Sequence, residues 1–116
     1  MIRAALLVVS AFAVFTAAAQ PAPGRLGVSA GEFHLVLSRP SVKAGRVLIQ
    51  LQNDGQDVHD LRLRRVGGSR TYSFPLTNPG ARTTLSFRLI PGRYRLWCSV
   101  ANHAQLGMRA LLRVRR

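Results

Sequence analysis

The chain has 116 residues, 47% of them hydrophobic, which predicts one small domain with a single core and excludes several large domains within this chain. Its 17 lysine and arginine residues stand against only four acidic residues, which gives a formal net charge of +13 at pH 7. So basic a balance favours an acidic protein, a nucleic acid or an anionic membrane surface as the partner.

The first nineteen residues have the pattern of a secretory signal peptide. Met1-Ile2-Arg3 is a short basic start, residues 4–18 are an apolar run without charge, and Ala17-Ala18-Ala19 supplies the small residues of a cleavage site. An uncleaved anchor is the less favoured alternative, because the run is shorter than the roughly 20 apolar residues that a spanning helix needs. We therefore expect cleavage before Gln20 and a periplasmic or extracellular protein, for which nucleic acid is a poor partner.

The segment after the signal peptide is rich in proline and glycine, with the sequence Gln20-Pro21-Ala22-Pro23-Gly24. This composition predicts a flexible lead over residues 20–27. The folded domain is accordingly expected at residues 28–116, with no second domain and no internal repeat.

Apolar and polar residues alternate through most of that domain, which is the pattern of half-buried β-strands. Turn residues such as Asn78-Pro79-Gly80 and Pro91-Gly92 separate the alternating segments, and no segment shows a helical period. Six or seven short strands in fewer than 100 residues predict an all-β sandwich or barrel. The strands are predicted at residues 32–38, 46–52, about 59–64, 71–74, 82–89, 93–98 and 108–115.

Most arginines fall on the predicted outward faces of these strands, as Arg109, Arg113 and Arg115 do in the last one. This placement fits a solvated surface and a patch for an anionic partner equally well. An acidic protein and an anionic membrane surface both remain open as partners.

Residues with the chemistry of metal ligands are concentrated near the C-terminus, where Cys98, His103 and Met108 follow one another at intervals of five. A thiolate, an imidazole and a thioether are the soft ligands that a copper ion selects. A trigonal site of two histidines and one cysteine, with a weak axial methionine, needs one more histidine, and His59 is the expected residue. Ligation would also account for a lone cysteine, which is otherwise an oxidisable thiol in an oxidising compartment.

Each of these residues also has an ordinary structural interpretation, with Cys98 as a small buried hydrophobe, Met108 as the filler of a core gap and the two histidines as turn residues. Taken together this is less favoured, because the mature chain has only one cysteine, one methionine and three histidines, and four of these five fall into the ligand pattern. Alternation places Cys98 at the inward-facing end of one strand, whereas His59 begins another.

In these positions the sequence resembles the cupredoxins, the small blue copper proteins that include plastocyanin and azurin. The resemblance covers residues from about 32 to 114 and implies a Greek-key β-sandwich of about seven strands with one mononuclear copper ion near one end. It implies His59, Cys98 and His103 as the metal ligands, with Met108 axial. The motifs that carry it are Asn53-x-Gly55-x-x-x-His59, Pro91-Gly92-x-Tyr94-x-Leu96-x-Cys98 and Cys98-x₄-His103-x₄-Met108.

Two residues depart from the family pattern, and two other residues with relevant side chains lie outside the ligand set. Members often have asparagine after the first histidine ligand, where it orders the loop around the thiolate, and many have glycine before the second; here these residues are Asp60 and Asn102. Both adjoin ligands, and such neighbours tune the potential of a metal. His34 is expected to face solvent. Trp97 is expected to pack under a loop or a second sheet face, with a path for electrons as the alternative that the resemblance offers.

The expected protein is a monomeric blue copper protein that carries single electrons through Cu(I) and Cu(II) and is not an enzyme. Its expected partner is acidic, such as a cytochrome or an oxidase. The loop edge of His103 is the expected docking patch, with a small apolar rim of Ala101, Ala104, Leu106 and Gly107. Two alternatives are a copper carrier that delivers copper to an oxidase or other cuproenzyme, and a structural module that holds copper incidentally.

Overall fold

Alternating apolar side chains build nine strands, where the sequence predicts about seven, together with one helical turn. The computed structural model describes all residues from 1 to 116. The strands are β1 (Gly24–Gly31), β2 (His34–Leu37), β3 (Ser41–Lys43), β4 (Gly45–Asn53), β5 (Arg62–Arg65), β6 (Thr71–Ser73), β7 (Arg82–Leu89), β8 (Gly92–Trp97) and β9 (Arg109–Arg115). The helical turn, α1 (His103–Leu106), lies between β8 and β9.

The strands form two mixed sheets that face each other across one core, so the predicted all-β sandwich is confirmed. The four-stranded sheet has the order β2-β1-β4-β7, in which only the pair β1 and β4 is parallel. The five-stranded sheet has the order β3-β9-β8-β5-β6, in which only the pair β3 and β9 is parallel. Cys98 follows β8, the middle strand of that sheet, and the metal-ligand candidates gather at this end of the sandwich.

The core is built from the residues that alternation assigns to inward faces. Burial of each large aliphatic or aromatic side chain contributes about 1.5–3 kcal/mol, so the contact between the two sheets dominates the stability of the fold. Fully buried members of the four-stranded sheet include Leu26, Val28, Val47, Ile49 and Leu51, and those of the five-stranded sheet include Leu63, Tyr94, Leu96, Leu112 and Val114.

Strand β1 corrects the predicted flexible lead, because residues 24–27 belong to the four-stranded sheet. Gly24 to Ala30 pair in parallel with Val47 to Asn53 of β4, and this pairing buries Leu26 and Val28. The proline and glycine residues before Arg25 mask the alternation when the sequence is considered alone. These residues form a strand because the neighbouring strand β4 supplies hydrogen-bond partners for their backbone and a surface for their side chains.

Strand β3 and helix α1 were also not predicted. Ser41–Lys43 pairs with residues 113–115 of β9, and Gly45, at a φ of 113°, lets the chain turn from this sheet into β4 of the other. Helix α1 has only four residues, which is too short for a helical period to show. The third predicted strand begins later than expected, at Arg62.

Residues 1–23 precede β1 and form neither helix nor strand. Nowhere does the structure contain a helix with the length and hydropathy required to cross a membrane. The signal peptide over residues 1–19 stays a prediction.

Candidate metal centre

Three candidate ligands from different parts of the chain meet at one end of the sandwich. The ligand atoms of His59, Cys98 and His103 all lie within 4.8 Å of one another. His59 is held outside the regular strands by an isolated bridge to Thr77, Cys98 follows β8, and His103 begins α1. All three residues are buried, and only His103 retains a measurable exposed fraction, at 7%.

The distances from the sulfur of Cys98 to the two imidazole nitrogens fit a trigonal metal site. Nδ1 of His59 and Nδ1 of His103 each lie 3.8 Å from Sγ of Cys98. Metal bonds of about 2.3 Å to sulfur and about 2.0–2.1 Å to nitrogen, set 120° apart in a plane, separate sulfur and nitrogen by roughly 3.8 Å. The donor set of one thiolate and two imidazoles is the one that soft or borderline transition metals prefer. The residues present therefore fit a bound metal ion.

Met108 closes the loop that carries the other two C-terminal candidates. Its side chain is fully buried, and its carbonyl accepts a hydrogen bond of 3.1 Å from the backbone N–H of Cys98. Its own N–H donates to the carbonyl of His103, also at 3.1 Å. These bonds hold the segment from Cys98 to Met108 as a rigid loop next to the ligand cluster. The axial role of the thioether stays a prediction.

Burial raises the pKa of the Cys98 thiol above its ordinary value. The neutral thiol is therefore favoured without metal, because the apolar surroundings penalise the charge of a thiolate. A metal ion has to displace this proton when it binds, so metal binding at this site releases a proton.

Glu32 lies in the turn between β1 and β2 and orients His59 from behind. Its Oε1 accepts hydrogen bonds from the backbone N–H groups of Gln56 and Asp57, at 2.9 and 2.7 Å, and lies 3.0 Å from Nε2 of His59. The N–H of Asp57, followed by that of Gln56, lowers the pKa of this carboxyl to about 2. An ionised carboxylate can only accept hydrogen bonds, so Nε2 of His59 carries the ring proton and Nδ1 presents its lone pair to the cluster.

Gly55 makes room for this carboxylate. A Cβ atom at residue 55 would lie 2.5 Å from both carboxylate oxygens of Glu32, so any larger residue would displace it. The loop around Gly55 is ordered by buried Asn53, whose Oδ1 accepts from the N–H of Gly55 and whose Nδ2 donates to the carbonyls of Asp57 and Thr77. The resemblance had drawn attention to Asn53 and Gly55, and these contacts give their physical roles.

The second histidine has different neighbours. The ring of Phe33 lies 5.1 Å from that of His103, and Nε2 of His103 is 3.7 Å from a carboxylate oxygen of Asp57. Phe33 lies in the turn before β2 and is 37% exposed, although alternation within the predicted strand over residues 32–38 would place it on the same face as Leu35 and Leu37. The predicted rim beside it is exposed at Ala101 and Leu106. The surface over His103 is therefore apolar with an adjacent carboxylate.

Asp60 fastens the residue that follows Cys98. One of its oxygens accepts a hydrogen bond of 2.6 Å from the N–H of Ser99, and the other accepts from the hydroxyl of Ser99. Arg62 Nε lies 3.6 Å from the second oxygen. A carboxylate thus fixes the backbone beside the cysteine, where the family often has an amide. Asn102 is exposed and makes no capping bond from its side chain.

The remaining residues named from the sequence lie outside the cluster. His34 is exposed on β2, as expected. Trp97 is half-buried on the outer face of β8, opposite Leu96 and Cys98. Glu32 was missed because 27 residues separate it from His59. The one feature of the sequence that could have identified Glu32 is that it is one of only four acidic residues in a strongly basic chain.

Solved structures similar to this one share its fold and little of its sequence. An auracyanin from Roseiflexus castenholzii gives a TM-score of 0.66 at 16% identity, covering 83% of this chain and 100% of that one. Auracyanin A, a blue copper protein from Chloroflexus aurantiacus, gives 0.64 at 19% identity, covering 80% and 99%. A purple cupredoxin from Nitrosopumilus maritimus gives 0.56 at 18% identity, covering 76% and 97%. No protein-family model and no curated protein matches the sequence. At these identities the likeness shows the fold.

Proposed function

We propose that this chain, whose fold is that of the cupredoxins, is an exported blue copper protein that carries single electrons between redox partners. The observation that carries this proposal is the buried cluster of His59, Cys98 and His103, in which both imidazole nitrogens lie 3.8 Å from the sulfur. One thiolate and two imidazoles in this arrangement suit copper, and Met108 is the predicted axial ligand. A single copper ion bound there would supply one-electron chemistry between Cu(I) and Cu(II).

The contribution of the chain to electron transfer is rigidity. Glu32 fixes the ring of His59, Asp60 fixes the backbone after Cys98, and backbone hydrogen bonds close the loop as far as Met108. Ligands held in this way keep similar positions in both oxidation states, so little reorganisation accompanies the transfer of an electron. Burial of the cluster also keeps water from the metal, which favours passage of an electron over substrate chemistry.

The same burial argues for an electron carrier over a copper carrier. Delivery of copper requires a ligand of the acceptor to reach the ion while the donor still holds it. His59, Cys98 and Met108 are each 0% exposed, and His103 is covered by Phe33. Because the 7% exposed fraction of His103 is the only ligand surface that reaches solvent, exchange of the ion would need the loop to open first.

Localisation, assembly and partner complete the proposal. The signal-like segment at residues 1–19 supports export to the periplasm or the cell exterior. The net charge of +13 supports an acidic redox partner, such as a cytochrome or an oxidase, and disfavours self-association. We therefore assign the mature chain as a monomer that catalyses no reaction of its own.

The absorption spectrum of the copper-loaded protein tests this function. A cysteine thiolate bound to Cu(II) in a trigonal site gives intense visible charge-transfer absorption, so the protein should be coloured as Cu(II) and bleach on reduction. The variant Cys98→Ser should lose the colour, whereas His34→Ala, which changes a histidine outside the cluster, should keep it. A colourless protein that binds one equivalent of Cu(II) would contradict the assignment. Rapid loss of copper from the reduced protein to an acceptor would favour the carrier instead.

A further inference from the structure

The outer face of the five-stranded sheet carries about half of the basic residues of the chain. On this face arginines stand directly opposite each other across neighbouring strands, Arg64 with Arg95 and Arg93 with Arg113. Like charges in such pairs destabilise a sheet, so the arrangement has a cost in the free protein. The basic residues on this face are Lys43, Arg62, Arg64, Arg93, Arg95, Arg109, Arg113 and Arg115.

Acidic residues do not offset this charge. All four carboxylates lie in the turns at the metal-centre end, and each has a partner there: Glu32 with His59, Asp54 with Ser29, Asp57 beside His103 and Asp60 with Ser99. Only Arg62, at the edge of the face, has a carboxylate within ion-pair distance. The molecule is therefore strongly polarised, with an unbalanced basic sheet face and the negative charge gathered around the metal centre.

A groove with an apolar floor crosses this basic face. Trp97, Ala104, Ala110 and Leu111 line it, and Arg95 and Arg109 stand beside them. We call these six residues the arginine groove. Leu111 is 62% exposed although it occupies the middle of a sheet face. An apolar centre with tryptophan and arginine around it is the composition of protein interfaces, in which aromatic residues and arginine are enriched.

The arginine groove is joined to the metal centre by the chain itself. Trp97 directly precedes Cys98, Ala104 directly follows His103, and Arg109 directly follows Met108. A partner seated in the groove is thus one residue away from three of the four candidate ligands. A docking site for electron transfer needs this closeness, and the rest of the basic face does not provide it.

The surface over His103 attracts an acidic partner much less than the arginine groove does. Asp57, whose side chain is 55% exposed, lies beside that histidine, and the rim residues outside the arginine groove, Ala101, Leu106 and Gly107, carry no charge. A carboxylate-rich protein approaching there would meet a like charge, which is unfavourable. The expectation that arginines guide a partner to the edge of His103 does not agree with where the charges lie.

We propose that the arginine groove is the docking surface for an acidic redox protein, one that presents an apolar side chain surrounded by carboxylates. This inference rests on the proposed electron-carrier function and names the place and the chemistry of its partner. The apolar floor would receive the protruding side chain, Arg95 and Arg109 would pair with the surrounding carboxylates, and the rest of the basic face would accelerate the encounter.

Charge removal at matched sites on the two sheets tests the proposal. The double variant Arg95→Gln/Arg109→Gln removes two charges from the groove. Its control, Arg46→Gln/Arg88→Gln, removes two exposed charges that stand opposite each other on the four-stranded sheet. Stopped-flow electron transfer with a small acidic cytochrome as the probe should slow roughly tenfold or more for the groove variant at low salt, and far less for the control. A basic cytochrome should show no such difference.

A second measurement identifies the surface without relying on electron transfer. Amide chemical shifts of the copper-free and Cu(I) proteins, titrated with the acidic cytochrome, should change at Trp97, Arg109 and Leu111. Shifts centred on Phe33 and Leu106, or equal slowing of the groove and control variants, would overturn the proposal. So would a groove variant that keeps its rate with the cytochrome and loses binding to vesicles of anionic and zwitterionic lipid, because the face would then serve a membrane. If the cytochrome binds at the groove and no electron passes, the proposed function fails while the docking surface stands.

Discussion

At the scale of single residues, the metal centre depends on side chains that are not themselves ligand candidates. Glu32 accepts from two backbone N–H groups and from His59, and therefore links the turn before β2 to the loop before β5. Its interactions are absent from an unfolded chain, so they contribute to stability as well as to the orientation of a ligand.

Replacement of Glu32 by glutamine should change how stability depends on pH. The folded state lowers the pKa of this carboxyl from 4.5 to about 2. The folded protein thus binds this proton more weakly than the unfolded chain, so the stabilisation is fully present above about pH 4.5 and is lost as the pH falls towards 2. We expect the free energy of unfolding of the metal-free wild type to fall more steeply over this interval than that of Glu32→Gln. Chemical denaturation at a series of pH values measures both slopes, and parallel curves would contradict the role of Glu32.

Substitution of Gly55 tests whether the Glu32 carboxylate needs the space that this glycine leaves for it. The Cβ of Gly55→Ala would meet the oxygens of Glu32 at 2.5 Å, so the carboxylate has to move away from His59. Such overpacking typically costs about 1–3 kcal/mol. Gly27→Ala is a suitable control, because its Cβ makes only ordinary contacts at 3.5 Å or more, with Ser38. Thermal unfolding of the two metal-free variants measures the difference. Equal stability would mean that the Glu32 carboxylate moves aside at little cost.

At the scale of elements, one loop between two strands of the five-stranded sheet organises the centre. It carries Cys98, His103 and Met108, and its two ends are tied together by the hydrogen bond between the backbones of Cys98 and Met108. His59 comes from the loop after β4, in the other sheet, so the centre also bridges the two layers of the sandwich.

The variants Met108→Leu and His59→Ala should separate a weak axial ligand from an equatorial one. Leucine has a similar volume, so the copper-loaded Met108→Leu protein should keep its copper and its colour. Its reduction potential should rise by tens of millivolts, since loss of the thioether removes a donor to Cu(II), and 59 mV corresponds to a tenfold change for one electron. The variant His59→Ala should lose the visible absorption. Spectroscopy with redox titration distinguishes the two, and loss of copper from both would make Met108 an equal ligand.

At the scale of the whole molecule, segregation of charge is the dominant feature. Sixteen of the seventeen basic residues belong to the sandwich and lie on its outer faces and ends, whereas the four carboxylates gather at the metal-centre end. Repulsion among arginines on the five-stranded sheet acts through solvent over several ångströms and is therefore open to screening by salt.

Salt should stabilise this protein against heat. As ionic strength rises from about 0.01 M to about 1 M, the Debye length falls from roughly 30 Å to roughly 3 Å, which removes most of the repulsion on the basic face. If the loss of this repulsion raises the free energy of unfolding by about 1 kcal/mol, the Tm rises by roughly 4–8 °C in a domain of this size. Calorimetry of the metal-free protein in a sodium chloride series measures the effect, with Arg93→Gln expected to respond less. A Tm that is insensitive to salt would mean that the arginines are already compensated.

The sequence by itself determined the residues that face the core and those that face solvent. A strand turns its side chains over every two residues, so alternation is enough to place Leu96 and Cys98 inside and Arg95 outside, as the structure has them. It also determined the class of fold, and it singled out three ligand candidates that lie together at one end of the sandwich.

Only the tertiary structure decided which segments are neighbours, because neighbours depend on strand order and register, and no local pattern encodes either. The pairing of β1 with β4 made a strand of residues that the sequence predicts as a flexible lead. The fold also brought Glu32, in the turn between β1 and β2, to His59, 27 residues later in the chain. The register of β5, β8 and β9 placed arginines opposite one another around Trp97, whereas the sequence showed only that they face outward. The face of each residue is thus set locally, and its partners are set by the fold.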